Sequence, residues 1–353
     1  MQQHDVVGIG NAIVDIIGRC DESYLAKVGA AKGSMRLVDA DTMATIYAGM
    51  GPAVETSGGS AANTIAGVAS FGGTAGFIGK VAADEFGRIF THDIRSIGVA
   101  FNSPAVSGRE PTSRSLILVT PDGERTMNTY LGISTDLDPD HLDAQLIADS
   151  AVLYLEGYLF DRPEAKLAFK KGAEHAARAG RKVALTLSDG FCVDRHRDEF
   201  IELIRNSVDI LFANEHEIKS LYQTADFDTA ADLARKDAKL AVLTRSAAGS
   251  LICSDGKAIS IAPDRVEEVV DTTGAGDLYA SGFLFGYARQ LPLEICGKLA
   301  SMATVATRRL SRTAVHSCGD RSNKSIIGAC WAFARAWSAK PRKWSSFALP
   351  LDR

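Results

Sequence analysis

Short, almost wholly apolar runs alternate along the chain with longer segments of helical character. Runs that are apolar on both faces and separated by helices predict a parallel sheet covered by helices on both sides. The predicted strands are Val6–Gly10, Ala151–Leu155, Val183–Leu187, Asp209–Ala213, Leu240–Thr244 and Ser250–Cys253. The predicted helices are Ala61–Ser70, Asp84–Ser96, Pro163–Ala179, Glu215–Tyr222 and Thr229–Lys236.

Two segments interrupt this alternation with strands and turns and without a long helix. In the second of them, Pro121-Asp122-Gly123 separates two strand-like runs and predicts a hairpin. We therefore expect an α/β fold: a three-layer α/β/α core with a mostly parallel sheet, and a small β-sheet lid that either excludes water from a reacting group or only decorates the surface. The expected core comprises residues 1–12, 39–97 and 130–353, and the expected lid comprises residues 13–38 and 98–129.

The string DTTGAGDLYASGF at residues 271–283 is the strongest candidate site. It lies between a strand-like run, Val266–Val270, and a helix of small residues predicted from Leu278 to about Gln290. Gly274-Ala275-Gly276 would lie at the helix N-terminus, where unpaired backbone N–H groups attract anions. Asp277 beside them is suited to deprotonate a hydroxyl that attacks a phosphoryl group. An ordinary helix start with a dipole-compensating Asp is the simpler alternative.

This string resembles the C-terminal signature of the ribokinase-like family of carbohydrate kinases, also called the phosphofructokinase B family. The resemblance implies an ATP-dependent kinase in which Asp277 is the catalytic base. It also implies that the backbone amides of Gly274, Ala275 and Gly276 form an anion hole. Further family landmarks follow in family order from about residue 5 to about residue 300.

On the acceptor side, the segment GGSAAN at residues 58–63 resembles the family's N-terminal glycine pair and asparagine. The resemblance implies that Gly58, Gly59 and Asn63 contact the phosphate acceptor. Asn11 and Asp15, which follow the first predicted strand, correspond to residues near the acceptor sugar, most clearly in the adenosine kinase branch. A carboxylate such as Asp15 accepts two hydroxyl hydrogen bonds well, although a turn residue is the simpler alternative.

On the nucleotide side, Asn214 and Glu217 match the family's NxxE motif, which implies contact with Mg²⁺ through its waters and a place for Asn214 beside the nucleotide. The simpler alternative is an N-capped acidic helix start. Thr244 and Gly249 resemble the family's ATP-side loop, whereas Arg245 between them is expected to meet either phosphates or solvent.

Asp271 and Thr273 are candidates for a monovalent-cation site, with K⁺ as the expected ion. This prediction comes from the resemblance and is weakened by the absence of the family's usual C-terminal pattern after Met302.

Two rival nucleotide-binding motifs fail. Gly8 and Gly10 supply the first two glycines of a dinucleotide-binding GxGxxG, but Ile13 occupies the third. A Walker A loop ending at Gly79-Lys80 would require glycine where Thr74 stands.

The predicted function is ATP-dependent phosphorylation of a hydroxyl of a small sugar or nucleoside. Residues 126–132 and 154–158 look most like bacterial members close to adenosine kinase, which favours an adenosine-like nucleoside. A sugar kinase acting on a free or phosphorylated sugar is one alternative, and a non-catalytic binding or regulatory protein on the same scaffold is another.

Charge and hydropathy limit the partners. The net charge of −4 argues against nucleic acid or a membrane surface as a partner. No apolar run is long enough to span a bilayer, and no signal core follows the N-terminus. We expect a cytoplasmic enzyme with a small-molecule substrate, and a homodimer paired through a lid edge is left open.

The composition changes abruptly near residue 305. Residues 305–353 contain ten Lys and Arg, two Asp and no Glu, together with all three tryptophans. This tail is interpreted as a partner-binding basic helix, as a divergent closing element of the fold, or as a frame-shifted translation of the ordinary family ending. The last interpretation is favoured because the break is so sharp.

Overall fold

The computed structural model describes residues 3–263 and 274–314, with side chains described up to residue 304. Nine strands form one large sheet in the order β14-β13-β12-β11-β10-β9-β1-β5-β6. These strands are β1 His4–Ile9, β5 Ala75–Ile78, β6 Val99–Ala100, β9 Ser150–Glu156, β10 Lys182–Thr186, β11 Ile210–Asn214, β12 Leu240–Thr244, β13 Ser250–Ser254 and β14 Lys257–Ile261. All neighbours from β12 to β6 are parallel, and β13 and β14 add an antiparallel edge.

Five strands form a second, smaller sheet in the order β3-β8-β7-β2-β4. They are β2 Ile13–Arg19, β3 Met35–Leu37, β4 Ala53–Gly58, β7 Ser113–Val119 and β8 Arg125–Tyr130. The predicted hairpin is confirmed, because β7 and β8 pair antiparallel around a turn in which Gly123 has φ +87°.

The helices are α1 Glu22–Lys27, α2 Ala40–Gly49, α3 Ser60–Ser70, α4 Glu85–Ser96, α5 Ala144–Ala148, α6 Pro163–Arg178, α7 Gly190–Ser207, α8 Glu215–Leu221, α9 Phe227–Asp237, α10 Ala275–Ala288 and α11 Leu293–Ala314. The large sheet is buried on both faces: Val6 and Tyr154 belong to one apolar cluster, and Val7 and Leu153 to the opposite one. Helices α3 and α10 pack on the first face, and α6 to α9 cover the second. The predicted three-layer α/β/α architecture is therefore confirmed.

The predicted boundaries between core and lid were wrong at two strands. Strand β4 lies in the small sheet although residues 39–97 were assigned to the core, and β6 lies in the large sheet although residues 98–129 were assigned to the lid. Strand β4 is a partly exposed edge strand whose sequence, AVETSG, has no buried apolar face to reveal it. Strand β6 has only two residues.

Helix α7 was absent from the predicted helices. Asp189 caps it by accepting a hydrogen bond from the backbone N–H of Cys192 at 2.6 Å, and non-helical dihedrals at His196 divide it into two parts. None of the described helices is long and apolar enough to cross a membrane.

Candidate active site

A cavity of about 440 Å³ lies between the pocket face of the small sheet and the C-terminal ends of β1, β9, β10, β11 and β12. Ligands of open α/β sheets bind at this edge of the strands. The structure brings eleven of the predicted site residues to this one cavity, namely Asn11, Asp15, Gly59, Asn63, Asn214, Glu217, Thr244, Gly274, Ala275, Gly276 and Asp277. Gly58 and Gly249, which were also predicted, are not among the residues that line it. Asp271, Thr273, the predicted strand Val266–Val270 and the tail from residue 315 lie outside the described residues.

Asp277 lies in the first turn of α10, whose N-cap is Gly274 with φ +71°. Glycine adopts this left-handed conformation without the Cβ penalty of other residues. The carboxylate accepts a hydrogen bond from Ser60 Oγ at 2.6 Å on one oxygen and from Asn63 Nδ2 at 3.3 Å on the other. Burial raises the pKa of Asp277 to about 6, and these two hydrogen bonds oppose the rise. The arrangement places a buried carboxylate beside the first N–H groups of a helix, which have no partner within the helix, and it is suited to phosphoryl transfer.

The loop after β1 is held by a buried carboxylate that the sequence analysis did not single out. Glu156, at the end of β9, accepts hydrogen bonds from the Asn11 side-chain amide at 2.6 Å and from the backbone N–H groups of Asn11 at 3.3 Å and Ala61 at 2.8 Å. Burial raises its pKa to about 7, and these donors oppose the rise. The sequence did contain an indication of this role, because Glu156 is a carboxylate at the end of an apolar run, and the carboxyl ends of such strands form the edge where ligands bind.

Asn11 also accepts a hydrogen bond from Ser134 Oγ at 2.8 Å on its amide oxygen. Both ends of its side chain are thus engaged within the protein. The observed contacts make Asn11 a residue that positions the loop, and its predicted contact with an acceptor stays a prediction.

Asp15 projects from β2 into the cavity. Burial raises its pKa to about 7, the positive charge of Arg125 opposes the rise, and the nearby Asp277 adds to it. A Cβ on Gly58 would lie 2.3 Å from the Asp15 carboxylate, and a Cβ on Gly59 would lie 2.3 Å from the backbone oxygen of Asn11. The glycine pair therefore makes room for neighbouring protein groups, whatever its contact with an acceptor.

Asn214 and Glu217 form a complete capping box at the start of α8. The Asn214 side chain accepts a hydrogen bond from the Glu217 backbone N–H at 2.8 Å, and Glu217 accepts one from the Asn214 backbone N–H at 2.9 Å. Glu217 also bonds the Asn214 side-chain amide. Burial raises the pKa of Glu217 to about 7; the Asn214 N–H opposes the rise, and Asp189 and Asp277 add to it. The two residues therefore cap the helix, as the simpler alternative predicted. Both also line the cavity, so their predicted contact with Mg²⁺ stays a prediction.

The loop after β12 places its residues differently. Thr244 lines the cavity, whereas Gly249 has φ +82° and a Cβ there would lie 2.1 Å from the Ile261 oxygen. Arg245 lies over the Phe227 ring at 4.0 Å, with its Nε 3.4 Å from Glu215. Arg245 was expected to meet either phosphates or solvent. The structure places its side chain against Phe227 and Glu215, outside the cavity lining.

Two cross-strand rows of side chains lie on the pocket face of the small sheet. Each row contributes three side chains to the lining of the cavity, Asp15, Ser115 and Thr129 from one and Ile117, Met127 and Met35 from the other. Cross-strand pairing aligns Thr56, Asp15, Ser115 and Thr129 in a polar row, which ends at the apolar Leu37 on β3. The Ser115 and Thr129 hydroxyls lie 2.9 Å apart. Two residues further along each strand, an apolar row crosses all five strands. The members of the apolar row are Val54, Ile17, Ile117, Met127 and Met35.

Comparison with known proteins agrees with this geometry. The sequence model described as pfkB family carbohydrate kinase matches residues 5–317. The chain belongs to the pfkB family of carbohydrate kinases. As a pfkB family kinase it transfers a phosphoryl group to a sugar or nucleoside, and the family implies ATP as the donor. This membership and the described contacts of Asp277 with Ser60 and Asn63 argue against the non-catalytic alternative.

Solved structures resemble this pfkB family kinase over almost its whole length. It is 50% identical to an adenosine kinase from Sinorhizobium meliloti (TM-score 0.83) and 47% identical to a probable sugar kinase from Rhizobium etli (TM-score 0.84). Each alignment covers 95% of this chain and 99% of the other. A curated adenosine kinase from Saccharomyces cerevisiae is 26% identical over 82% of this chain and 90% of its own length.

Proposed function

We propose that this kinase phosphorylates a hydroxyl of a nucleoside, with adenosine-like compounds favoured, and that Asp277 is the base. The observation that carries the proposal is the pair of rows on the small sheet. The polar row includes Asp15, which lies near Asp277, and its polar groups suit the hydroxyls of a ribose. The apolar row beyond it suits the flat face of a base, which a free hexose lacks.

In this arrangement Asp277 accepts the proton of the attacking hydroxyl while the N–H groups at the start of α10 stabilise the transferring phosphoryl group. Asp15 and Asn63 orient the acceptor, and Thr244 and Asn214 lie beside the nucleotide. The small sheet excludes water from the reacting groups.

The oxygens of Asn214 and Glu217 suit Mg²⁺ bound mainly through water and phosphate, since the described residues contain no cluster of three or more acidic, His or Cys side chains for a direct site. The bound ion would supply charge neutralisation of the phosphates. A K⁺ site at Asp271 and Thr273, a cytoplasmic location and pairing of two copies along a lid edge such as β4 complete the proposal.

The test is ADP release with Mg-ATP and a panel of adenosine, other nucleosides, ribose, fructose and fructose phosphates. Turnover of nucleosides in preference to sugars supports the proposal. Met127→Gln should raise KM for the nucleoside, because it puts a polar group in the apolar row, while Met127→Leu keeps the row apolar and should not. Turnover restricted to sugars, with no effect of Met127→Gln on KM, would assign the enzyme to the sugar kinases instead.

A further inference from the structure

The cavity in which the proposed function places a nucleoside triphosphate is lined mainly by acidic groups among its charged residues. Six carboxylates line it, namely Asp15, Glu156, Asp161, Asp189, Glu217 and Asp277. Among the described residues of the lining, one basic side chain faces them, and it belongs to Arg195. Arg245 is engaged elsewhere, with Phe227 and Glu215. Phosphates entering this cavity therefore depend on Arg195 for direct pairing with a cationic side chain of the described lining.

Arg195 is held in a geometry that a phosphate can copy. Its Nε and Nη2 donate to the two carboxylate oxygens of Asp161 at 3.0 and 2.7 Å. The guanidinium fork binds carboxylate and phosphate with the same bidentate geometry. The Asp161 carboxylate thus occupies the two donor positions of Arg195 that a phosphate could take.

Exchange of Asp161 for a phosphate would leave no buried charge unpaired. The two side chains are 52% and 41% exposed, and an exposed pair of this kind contributes little to stability. His196 Nε2 also lies 2.8 Å from Asp161, so this carboxylate keeps a partner when Arg195 moves away. The break in α7 falls at His196, the residue directly after Arg195.

The place of Arg195 in the fold indicates which phosphate it meets. It belongs to the helix that follows β10, and β10 lies in the sheet between β9, which ends at Glu156, and β11, which ends at Asn214. In the proposed function, the acceptor lies on the Glu156 side of the cavity and the nucleotide on the Asn214 side. Arg195 therefore belongs to the part of the fold between the two sides, where the terminal phosphate would pass from donor to acceptor.

We propose that Arg195 binds the terminal phosphate of the nucleotide, exchanging its pairing with Asp161 for it when the nucleotide enters. This inference rests on the proposed function, because it requires the nucleotide in this cavity. It adds a phosphate-binding residue from a helix that the motifs of the sequence did not include.

The test compares Arg195→Gln with Arg205→Gln. Arg205 is a matched control, because it lies on the same helix and makes the same two-bond pair, with Asp237, away from the cavity. Calorimetric titration with ADP and with a non-hydrolysable ATP analogue, both with Mg²⁺, measures the affinities. Arg195→Gln should weaken binding of the analogue about tenfold or more and binding of ADP much less, while Arg205→Gln should change neither.

A second variant separates phosphate binding from a merely structural role of the pair. Asp161→Asn removes the carboxylate that competes with the phosphate and should tighten binding of the analogue. If the pair were only structural, both Arg195→Gln and Asp161→Asn would weaken binding of the analogue. Equal affinities in Arg195→Gln and Arg205→Gln, or weaker binding in Asp161→Asn, would overturn the inference while the proposed function stands. If the unmodified protein binds neither nucleotide, the inference and the proposed function fail together.

Discussion

The hydrogen bond from Ser60 to Asp277 should control the pH at which this kinase works. Ser60→Ala removes a short donor, at 2.6 Å, from the carboxylate of the proposed base and leaves Asn63 Nδ2 at 3.3 Å as the remaining side-chain donor. The pKa of Asp277 is about 6 because burial raises it and these two donors oppose the rise. Loss of the stronger donor should therefore raise this pKa further.

The size of the change follows from the hydrogen bond. A hydrogen bond to a charged group contributes about 1.5 kcal/mol or more, and one pKa unit corresponds to about 1.4 kcal/mol. Ser60→Ala should accordingly move the pKa of Asp277 from about 6 to about 7. Protonated Asp277 does not accept the hydroxyl proton, so the rate falls as the pH drops through this value. At pH 6 the active fraction should fall from about one half to about one tenth.

The assay is the pH dependence of kcat/KM for phosphorylation from pH 5 to 9, which reports the free enzyme. The acid limb of Ser60→Ala should lie about one unit higher, with the rate at high pH largely retained. Ser70→Ala is the control, because Ser70 ends the same helix and bonds only the Ala66 oxygen among the described contacts. An acid limb that stays in place in Ser60→Ala would refute the assignment of Asp277 as the base whose ionisation limits the rate.

Three further predictions concern the same site. Gly59→Ala should lower the free energy of unfolding by about 3 kcal/mol, because Gly59 has φ +100° and a Cβ would lie 2.3 Å from the Asn11 oxygen; denaturant titration should show this loss and none for Gly51→Ala, where nothing lies within 4 Å. Glu156→Gln should destabilise the protein by about 1–3 kcal/mol in the same titration, because the amide turns an N–H group toward an N–H donor, and unchanged stability would contradict the conclusion that Glu156 holds the loop after β1. Asp277→Asn should lower turnover by about 10²–10⁴, and a near-normal rate in steady-state assays would rule out its role as base.

The order of strands and helices could be read from the sequence because burial on both faces of a parallel sheet leaves a local signature. Strand β12 was predicted at its observed limits, Leu240–Thr244, and α3 and α4 within a residue or so. The turn at Gly123 and the glycine start of α10 were likewise visible, because special backbone conformations select particular residues. Strand β4 left no such signature in the sequence, because it is held in the sheet by its backbone pairing with β2 rather than by a buried apolar face.

The chemistry of the site divides in the same way. The sequence alone determined that Asp277 follows a glycine turn at a helix N-terminus, because that arrangement is local and recurs as a motif. Tertiary structure decided that Ser60, 217 residues away, donates a hydrogen bond to Asp277 and opposes the rise in its pKa caused by burial. It also decided that Glu156 holds the loop at Asn11, and that Arg195 is the basic side chain facing the described lining of the cavity. These contacts join residues that are distant in the chain, and their strength depends on burial and distance, which exist only once the chain has folded.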